Sequence, residues 1–282
     1  MSDRVDLVAY AERLGFSGAL EPSLETLRTL HRLHPAAIPF ENLTTLLDES
    51  PRLDVPSLET KLVRSGRGGY CFEHNRLFAA VLEALGFRVV GLAARVLWER
   101  DPSALPPRTH MLLTVDVDGS RYVADVGFGG LTLTAPLRLV VDEEQDTPHE
   151  TYRIRRQGAG FVIEARLGDA WRALYWFDET PYHEIDFEVL NHFVATYPGS
   201  PFRSMLYCAR ALPDRRLALR NGRFTVRDIE GRPTARTLTD VDALRRVLAE
   251  DFAIDLPDDP ALDDVLREVL AADEESAAAE RR

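Results

Sequence analysis

The sequence has little lysine, little cysteine and no long apolar run. Lys61 is the only lysine, and 34 basic residues stand against 46 acidic ones, which gives a formal net charge of -12. Nucleic-acid binding needs Lys and Arg clustered on one face, so we expect no nucleic-acid partner. No stretch of about 18 apolar residues is present, and the amino terminus lacks the basic and apolar regions of a signal peptide. We therefore expect a cytoplasmic protein with no membrane partner.

Disulfide and metal-binding patterns are equally sparse. The two cysteines, Cys71 and Cys208, are expected to be free thiols, because disulfides are rare in reduced compartments. Cys208 alternates with apolar neighbours and is predicted to be an inert residue of a core strand. His31 and His34 lie three residues apart on a predicted helix, yet no third ligand is near them in sequence. We predict that both are surface histidines and that the protein holds no metal.

Apolar residues recur at helical spacing through the first ninety residues, with a capping residue before each predicted helix. Ser2, Ser23 and Ser57 are the predicted caps of the first three helices, and Pro35 is expected to end the second. The fourth helix is predicted to begin at or near Cys71. The first part of the chain should therefore be helical.

From residue 88 onward the apolar period changes to two, which is typical of strands. A hairpin is predicted at 110–127, followed by a meander that extends to Phe177. The last third combines a helix from His183, a hairpin at Asn221-Gly222 and two further helices. These patterns predict an α+β fold of three domains: a helical domain (1–88), a sheet domain (89–180) and a mixed domain (181–282).

The segment Arg67-Gly68-Gly69-Tyr70-Cys71 has the features of a reactive cysteine at the start of a helix. Two glycines let the backbone turn sharply before the helix begins. The free N–H groups and the positive end of the helix dipole then favour the thiolate, which is the form that attacks carbonyl carbon. The alternative is a small buried apolar residue, the usual role of a free cysteine. The glycines are not a phosphate loop, since the Gly-Lys-Ser/Thr ending is missing.

The predicted hairpin supplies a histidine and an aspartate that can act with this cysteine. Asp118-Gly119 between alternating segments predicts a two-residue loop, so that Val117 faces Ser120. In that register His110 and Asp125 are diagonal neighbours on the polar face, roughly 7–8 Å apart at their backbones. The alternative is a half-exposed histidine and an aspartate on a solvated sheet face.

A triad of nucleophile, base and orienting carboxylate follows from this placement. Asp125 would accept a hydrogen bond from one imidazole nitrogen of His110 and leave the other nitrogen free to take the proton of Cys71. His74, three residues after Cys71, is the reserve candidate for the base. Its side chain is expected to point to another part of the helix surface.

Four motifs match one known family. They are Ile38-Pro39-Phe40-Glu41-Asn42-Leu43, Arg67-Gly68-Gly69-Tyr70-Cys71-Phe72-Glu73-His74-Asn75, Thr109-His110 and Asp125-Val126-Gly127-Phe128-Gly129-Gly130. On these motifs, and over most of its length, the chain resembles the arylamine N-acetyltransferases, bacterial type. Weaker similarity continues through Thr196, Pro198, Ser200 and Phe202.

The resemblance implies a fold and an activity. The fold is a helical bundle, a β-barrel-like middle domain and an α/β lid, with a cysteine-protease-like catalytic core. The activity is acetyl transfer from acetyl-CoA, through a thioester on Cys71, to the nitrogen of an arylamine, an arylhydrazine or a related acceptor. Acetyl-CoA is then a substrate, and no permanently bound cofactor is expected.

The resemblance also implies the roles of particular residues. The family's catalytic triad matches Cys71, His110 and Asp125. Its structural ion network matches Arg13, Glu41 and Arg67. Phe40 and Phe202 are expected to border the acceptor pocket. The residues expected near coenzyme A are Trp98, Thr109, Phe128, Gly129 and Gly130.

Two other enzyme classes and one binding role are compatible with these residues. A cysteine hydrolase, such as a peptidase or a transglutaminase-like enzyme, uses the same chain order of Cys, His and Asp. An amide synthase that closes a ring on a polyketide is found among relatives of the same family. A catalytically inactive ligand-binding module predicts that Cys71 is never acetylated.

Overall fold

The computed structural model describes residues 5–101 and 105–279 of the chain. Within these ranges, helices predominate up to residue 84 and again after residue 183. They are α1 (Leu7–Leu14), α2 (Leu24–Ala37), α3 (Leu43–Leu46), α4 (Val55–Leu58), α5 (Cys71–Ala84), α6 (Glu184–Thr196), α7 (Val241–Arg246) and α8 (Leu262–Ala279). Wider helical turns at Glu59–Arg64 and Val247–Asp251 continue α4 and α7, and Pro201–Arg203 forms one tight turn.

The predicted helix caps are partly right. Ser23 caps α2, because its Oγ accepts a hydrogen bond from the Thr26 N–H at 3.1 Å. The Ser57 cap is wrong, since Asp54 caps α4 by accepting from the Ser57 N–H at 3.0 Å. Aspartate followed by proline in the first helical turn is the signal that this prediction missed. Ser2 lies outside the described residues.

The expected end of α2 at Pro35 is also wrong. The helix continues to Ala37, and the Ile38 N–H donates to the His34 carbonyl at 2.8 Å. Proline removes one backbone donor from a helix, so the carbonyl of His31 loses its helical partner. His31 and His34 in this part of α2 are buried, and we attribute the continuation of the helix past Pro35 to that burial.

The strands form two antiparallel sheets. In chain order they are β1 (Phe40–Glu41), β2 (Arg88–Val96), β3 (Arg108–Val117), β4 (Ser120–Ala124), β5 (Leu137–Arg138), β6 (Glu144–Asp146), β7 (Thr151–Gln157), β8 (Gly160–Leu167), β9 (Ala170–Phe177), β10 (Tyr207–Leu212), β11 (Arg215–Arg220), β12 (Arg223–Asp228) and β13 (Pro233–Thr237). The larger sheet has the order β5-β4-β3-β2-β9-β8-β7-β6. Together with the helices, these sheets confirm the predicted α+β class.

The larger sheet is barrel-like because its two edges approach each other. The Gln145 side chain on β6 donates to the Arg138 carbonyl on β5 at 2.9 Å and accepts from the Arg138 N–H at 2.8 Å. A single parallel bridge between Val141 and Ile154 adds a second tie. The eight strands therefore form a nearly closed layer around their own core.

The smaller sheet, of order β1-β10-β11-β12-β13, joins distant parts of the chain. Phe40 pairs with Ala209, and Glu41 pairs with Cys208. Cys208 is buried in β10, as predicted. The predicted hairpin at Asn221-Gly222 is confirmed between β11 and β12. The pairing of β1 with β10 therefore places Phe40, which comes from the N-terminal helical part of the chain, at the edge of the C-terminal sheet.

The β3–β4 hairpin has the predicted register, with Val117 opposite Ser120. The alternative of a solvated polar face is wrong, since His110 is buried there. Leu112 and Val123 on the same face belong to the core of the barrel-like sheet, whereas the apolar face packs against α5. Both faces of the hairpin are covered at His110, so this side chain is shielded from solvent.

Three hydrophobic cores are present in the described part of the chain. One joins α1, α2, α5 and α6 with the apolar face of the β3–β4 hairpin, one fills the barrel-like sheet, and one lies between the smaller sheet, α7 and α8. On this basis we propose three units: a helical bundle (1–88), a barrel-like unit (89–180) and an α/β lid (181–282). Among the described residues, no helix is both long and apolar enough to cross a membrane. The cytoplasmic location stays a prediction.

Candidate active site

Cys71 is the first residue of α5 and follows Gly68 and Gly69, which do not form the predicted sharp turn; Gly69 instead forms a parallel bridge with Phe40 of β1. A Cβ atom at Gly68 would lie 2.0 Å from the Pro39 carbonyl oxygen, and one at Gly69 would lie 2.6 Å from Oε2 of Glu73. Only glycine fits at such close approaches. The Glu73 carboxylate caps the helix by accepting the backbone N–H of the residue before Cys71 at 3.0 Å. The glycines therefore let the chain place the Cys71 thiol at the amino end of a capped helix.

Cys71, His110 and Asp125 lie together, as the sequence predicted. The Nε2 atom of His110 donates to Oδ2 of Asp125 at 2.7 Å. The Cys71 side chain is one of the groups that raise the pKa of His110, and its Sγ is 3.6 Å from the carbonyl oxygen of Thr109, the residue before His110. The three residues are only 4%, 2% and 0% exposed in that order. Nδ1 is therefore the imidazole nitrogen that can exchange a proton with the thiol.

His110 and Asp125 stabilise each other's charged forms in this buried site. Burial alone would lower the pKa of His110, but the Asp125 carboxylate and the Cys71 side chain outweigh burial and raise the pKa to about 10. Burial would likewise raise the pKa of Asp125, yet His110 and the hydrogen bonds from Asn75 and Gly127 hold that pKa below its usual value. An imidazolium beside a carboxylate is therefore the favoured state near neutral pH.

Asn75 is a member of this site that the residue patterns did not single out. Its Nδ2 donates to Oδ1 of Asp125 at 2.9 Å and to the Met111 carbonyl at 2.7 Å, and its Oδ1 accepts from the Val126 N–H at 3.1 Å. It lies one helical turn after Cys71 on α5. Helical spacing from Cys71 is the sequence signal that could have identified it.

The loop after β4 packs directly on the start of α5. A Cβ atom at Gly127 would lie 3.0 Å from the Cα of Cys71, so a larger residue would push the loop away. Thr132 holds the same loop, because its Oγ1 accepts from the Phe128 N–H at 3.2 Å and donates to the Asp125 carbonyl at 3.1 Å. The glycine thus allows the segment that carries Asp125 to reach the backbone of Cys71.

Aromatic rings cover the imidazole of His110. Phe128 meets it edge-on with ring centroids 5.1 Å apart, and the Tyr175 centroid lies 4.9 Å away. The two rings also contact each other at 5.0 Å. The sequence did not single out Tyr175, because its position on β9 is that of an ordinary core residue. Together these rings help to exclude water from the His110–Asp125 pair.

Three residues expected near coenzyme A lie on the barrel side of the site. The Thr109 carbonyl contacts the thiol of Cys71, and Phe128 covers His110. Trp98 follows β2 instead of lying within it, and it packs against the core of the barrel-like sheet. The binding roles of these three residues stay predictions.

The two glycines expected near coenzyme A lie in the loop that follows Phe128. Gly129 adopts a φ of +84°, and a Cβ atom there would lie 3.7 Å from the ring of Phe40. A Cβ atom at Gly130 would meet no atom within 4 Å. The backbone at Gly130 therefore faces open space, which leaves room for a ligand beside this loop.

Phe40 and Phe202, the expected walls of the acceptor pocket, face each other with ring centroids 6.2 Å apart. Tyr70 packs edge-on against Phe202 at 5.7 Å. The amide of Asn42 donates to the Phe202 carbonyl at 2.8 Å and holds the turn that carries this ring. The rings come from β1 and from the turn at Pro201–Arg203, so their contact joins two of the proposed units. Their role in binding an acceptor stays a prediction.

His74 has no ring nitrogen free to act as the base. Its Nε2 lies 3.2 Å from the Pro39 carbonyl, which can only accept, so Nε2 carries the proton. Nδ1 of His74 then accepts from Nε2 of His34 at 2.8 Å, and Nδ1 of His34 accepts from the Tyr10 hydroxyl at 2.7 Å. Burial lowers the pKa of His74 to about 4. This geometry leaves His110 as the better candidate for the base.

The expectation that His31 and His34 lie on the surface is wrong. Both are completely buried, and both meet Phe78 edge-on, at 5.8 and 5.6 Å respectively. They share the buried side of α2 with Leu27 and Leu30, which the polar character of histidine concealed in the sequence. Among the described residues, no group of three or more His, Cys, Asp or Glu side chains could hold a metal ion.

Glu41 and Arg67 form the buried ion pair that the family resemblance implied. Nε and Nη2 of Arg67 donate to Oε1 of Glu41 at 2.9 and 2.8 Å, and the Leu43 N–H donates to Oε2 at 2.7 Å. Arg13 does not complete an ion network with them within the described residues. It donates from Nε to the Leu62 carbonyl at 3.2 Å. The pair ties β1 to the loop before Cys71.

Comparison with known proteins gives one consistent match. A family model described as N-acetyltransferase matches residues 23–261 of the chain. The arylamine N-acetyltransferase of Escherichia coli is 44% identical over 250 residues, which cover 88% of this chain and 89% of that protein. The similarity therefore extends over nearly the whole length of both proteins.

Solved structures similar to this chain share its fold. The structure of arylamine N-acetyltransferase from M. tuberculosis matches with a TM-score of 0.89 at 40% identity, and the match covers 93% of this chain and 100% of that one. The structure of the Mycobacterium marinum arylamine N-acetyltransferase in complex with CoA matches with a TM-score of 0.90 at 38% identity, covering 94% and 99%.

Proposed function

Because the chain belongs to the arylamine N-acetyltransferase family, bacterial type, and is an enzyme of that kind, we propose that Cys71 carries the acetyl group from donor to acceptor. The donor is acetyl-CoA, and the acceptor is the nitrogen of an aromatic amine or hydrazine. The single observation that supports this route best is the buried set of the Cys71 thiol, the His110 imidazole and the Asp125 carboxylate. The two substrates then react in turn at one sulfur.

In the first half-reaction, the proton of Cys71 resides on His110 and the thiolate attacks the thioester carbon of acetyl-CoA. A tetrahedral intermediate forms, and its oxygen is stabilised by backbone N–H groups near the start of α5. The bond to the coenzyme A sulfur breaks, and that sulfur takes the proton from His110. The products are free coenzyme A and an acetyl thioester on Cys71.

In the second half-reaction, the nitrogen of the aromatic amine attacks the acetyl carbon on Cys71. Such an amine is uncharged at neutral pH and already nucleophilic. His110, now without its extra proton, accepts the proton that the nitrogen loses. The bond to sulfur breaks, and the enzyme regains its thiolate beside the imidazolium. Asp125 keeps the imidazole in the orientation needed for both proton transfers.

Donor and acceptor are proposed to enter the same pocket. The backbone N–H groups of Gly129 and Gly130 are suited to bind the diphosphate of the donor despite the acidic total charge. The rings of Phe40 and Phe202 are suited to hold an aromatic acceptor and to exclude water. Exclusion of water matters, because an acetyl thioester open to solvent hydrolyses.

We expect the purified protein to release coenzyme A thiol in multiple turnovers only when an acceptor is present. The measurement follows thiol release from acetyl-, propionyl- and malonyl-CoA against a small set of arylamines and hydrazines. The same set reveals the preferred donor and acceptor. Sustained thiol release without an acceptor, or peptide cleavage without any thioester, would favour the cysteine hydrolase and contradict acetyl transfer.

A further inference from the structure

His31 lies behind the catalytic aspartate and not at the protein surface. It is carried by α2 and is completely buried. The backbone N–H of Asp125 donates to Nε2 of His31 at 3.0 Å. A backbone N–H can only donate, so Nε2 is unprotonated and the ring proton is on Nδ1. The contact therefore requires a neutral His31 in one defined tautomer.

Burial keeps His31 neutral near neutral pH. Burial lowers the pKa of His31 to about 4, although the Asp125 carboxylate acts to raise it. His34 on the same helix and His74 on α5 are also buried, and burial lowers the pKa of each. The acceptor nitrogen of His31 is therefore available throughout the neutral range.

Hydrogen bonds from several elements hold Asp125 in place. Asn75 on α5 and the Gly127 N–H bind its Oδ1, and Thr132 binds its carbonyl. His31 binds the remaining backbone group, the N–H, and ties it to α2. Because the side chain leaves the backbone at Cα, a rotation of the Asp125 backbone would turn its carboxylate away from His110.

We propose that His31 is a positioning residue of the catalytic site, whose unprotonated Nε2 fixes the backbone of Asp125 and so the direction of its carboxylate toward His110. Nδ1 of His31 has no hydrogen-bond partner among the described residues, so the bond from the Asp125 N–H to Nε2 is the contact that an apolar residue packed against Phe78 would lack. An apolar residue would also leave the buried N–H of Asp125 without an acceptor, which proteins avoid.

Two amide substitutions separate this role from simple core packing. In His31→Gln, the amide reaches the position of Nε2 and supplies an acceptor. In His31→Asn, the shorter amide reaches only the position of Nδ1. Both variants place a neutral amide in the same buried space. His34→Asn is the matched control, because His34 is equally buried on the same helix but binds Tyr10 and His74 instead.

The decisive readout is the pKa of His110, which is measured by NMR titration of its imidazole. Urea unfolding is recorded in parallel. We expect His31→Asn to lower the pKa of His110 from about 10 and to slow alkylation of Cys71 by iodoacetamide at neutral pH by about 10- to 100-fold. His31→Gln should stay close to the wild type in both measurements. His34→Asn should lose stability without moving the pKa of His110.

Equal His110 titrations in His31→Gln and His31→Asn would overturn the proposal, as would an equal shift in His34→Asn. If His31→Asn does not fold, the proposal predicts a wild-type titration in His31→Gln, and a shifted titration in that variant would refute it. Alkylation and titration need neither acetyl-CoA nor an acceptor. The outcome is therefore independent of whether acetyl transfer is the function.

Discussion

Replacement of Cys71 by serine is expected to abolish acetyl transfer while the fold is kept. The side chain changes by one atom, but a serine hydroxyl does not ionise as a thiol does and cannot form the proposed acetyl thioester. Thiol release from acetyl-CoA in the presence of an arylamine is the measurement. Turnover near that of the wild type would contradict the assignment of Cys71 as the nucleophile.

Cys208→Ser is the matched control for this substitution. Cys208 is the second thiol of the chain and is buried in β10, where burial raises its pKa well above the usual value. Its replacement should reduce stability, because it puts a polar hydroxyl into a core, but acetyl transfer should persist. If both variants lost transfer at the same folded fraction, the loss in Cys71→Ser would not identify Cys71 as the sulfur that carries the acetyl group.

The Asp125→Asn variant is expected to lose acetyl transfer by about ten-thousandfold, the loss found when a triad carboxylate is neutralised. The Asp125 carboxylate is the main cause that raises the pKa of His110 against the effect of burial. In the wild type, His110 keeps its proton until the pH approaches 10. Without the carboxylate, His110 gives up its proton at lower pH, so the limb of the pH–rate profile due to His110 should shift toward acid.

Asp116→Asn is the control for the loss of an acidic group from the same hairpin. Asp116 lies on β3 and pairs with Arg121 at 2.9 Å near the surface. Its neutralisation should leave both the rate and the pH–rate profile close to those of the wild type, since exposed ion pairs contribute little. A wild-type pH–rate profile in Asp125→Asn would count against the pairing of Asp125 with His110.

The placement of the triad could be predicted because local rules determine each part of it. Asp118-Gly119 determines the hairpin register, and the register brings His110 and Asp125 to one face. A glycine pair ahead of a helical pattern identifies Cys71. Each signal lies close in sequence to the residues that it places, so the sequence alone reveals it.

The supporting residues could not be predicted in the same way, because their partners are distant in sequence. His31 meets the backbone of Asp125, 94 positions away, and Asn75 meets its carboxylate 50 positions away. Nothing near His31 indicates such a partner, and the helical spacing of Asn75 from Cys71 indicates only that Asn75 lies near the thiol. Polar residues on the buried side of α2 instead appeared to belong to a solvated surface. The polar face of the β3–β4 hairpin likewise appeared solvated, but the core of the barrel-like sheet covers the part of it that carries His110.

The acetyl thioester on Cys71 is tested most directly by intact-protein mass spectrometry after brief mixing with acetyl-CoA and no acceptor. The proposed function predicts that the wild-type chain gains the mass of one acetyl group, located on the peptide that contains Cys71, and that an added arylamine removes it. Cys71→Ser should show no gain. A chain that releases coenzyme A in the presence of acceptor but never carries acetyl on Cys71 would contradict the account.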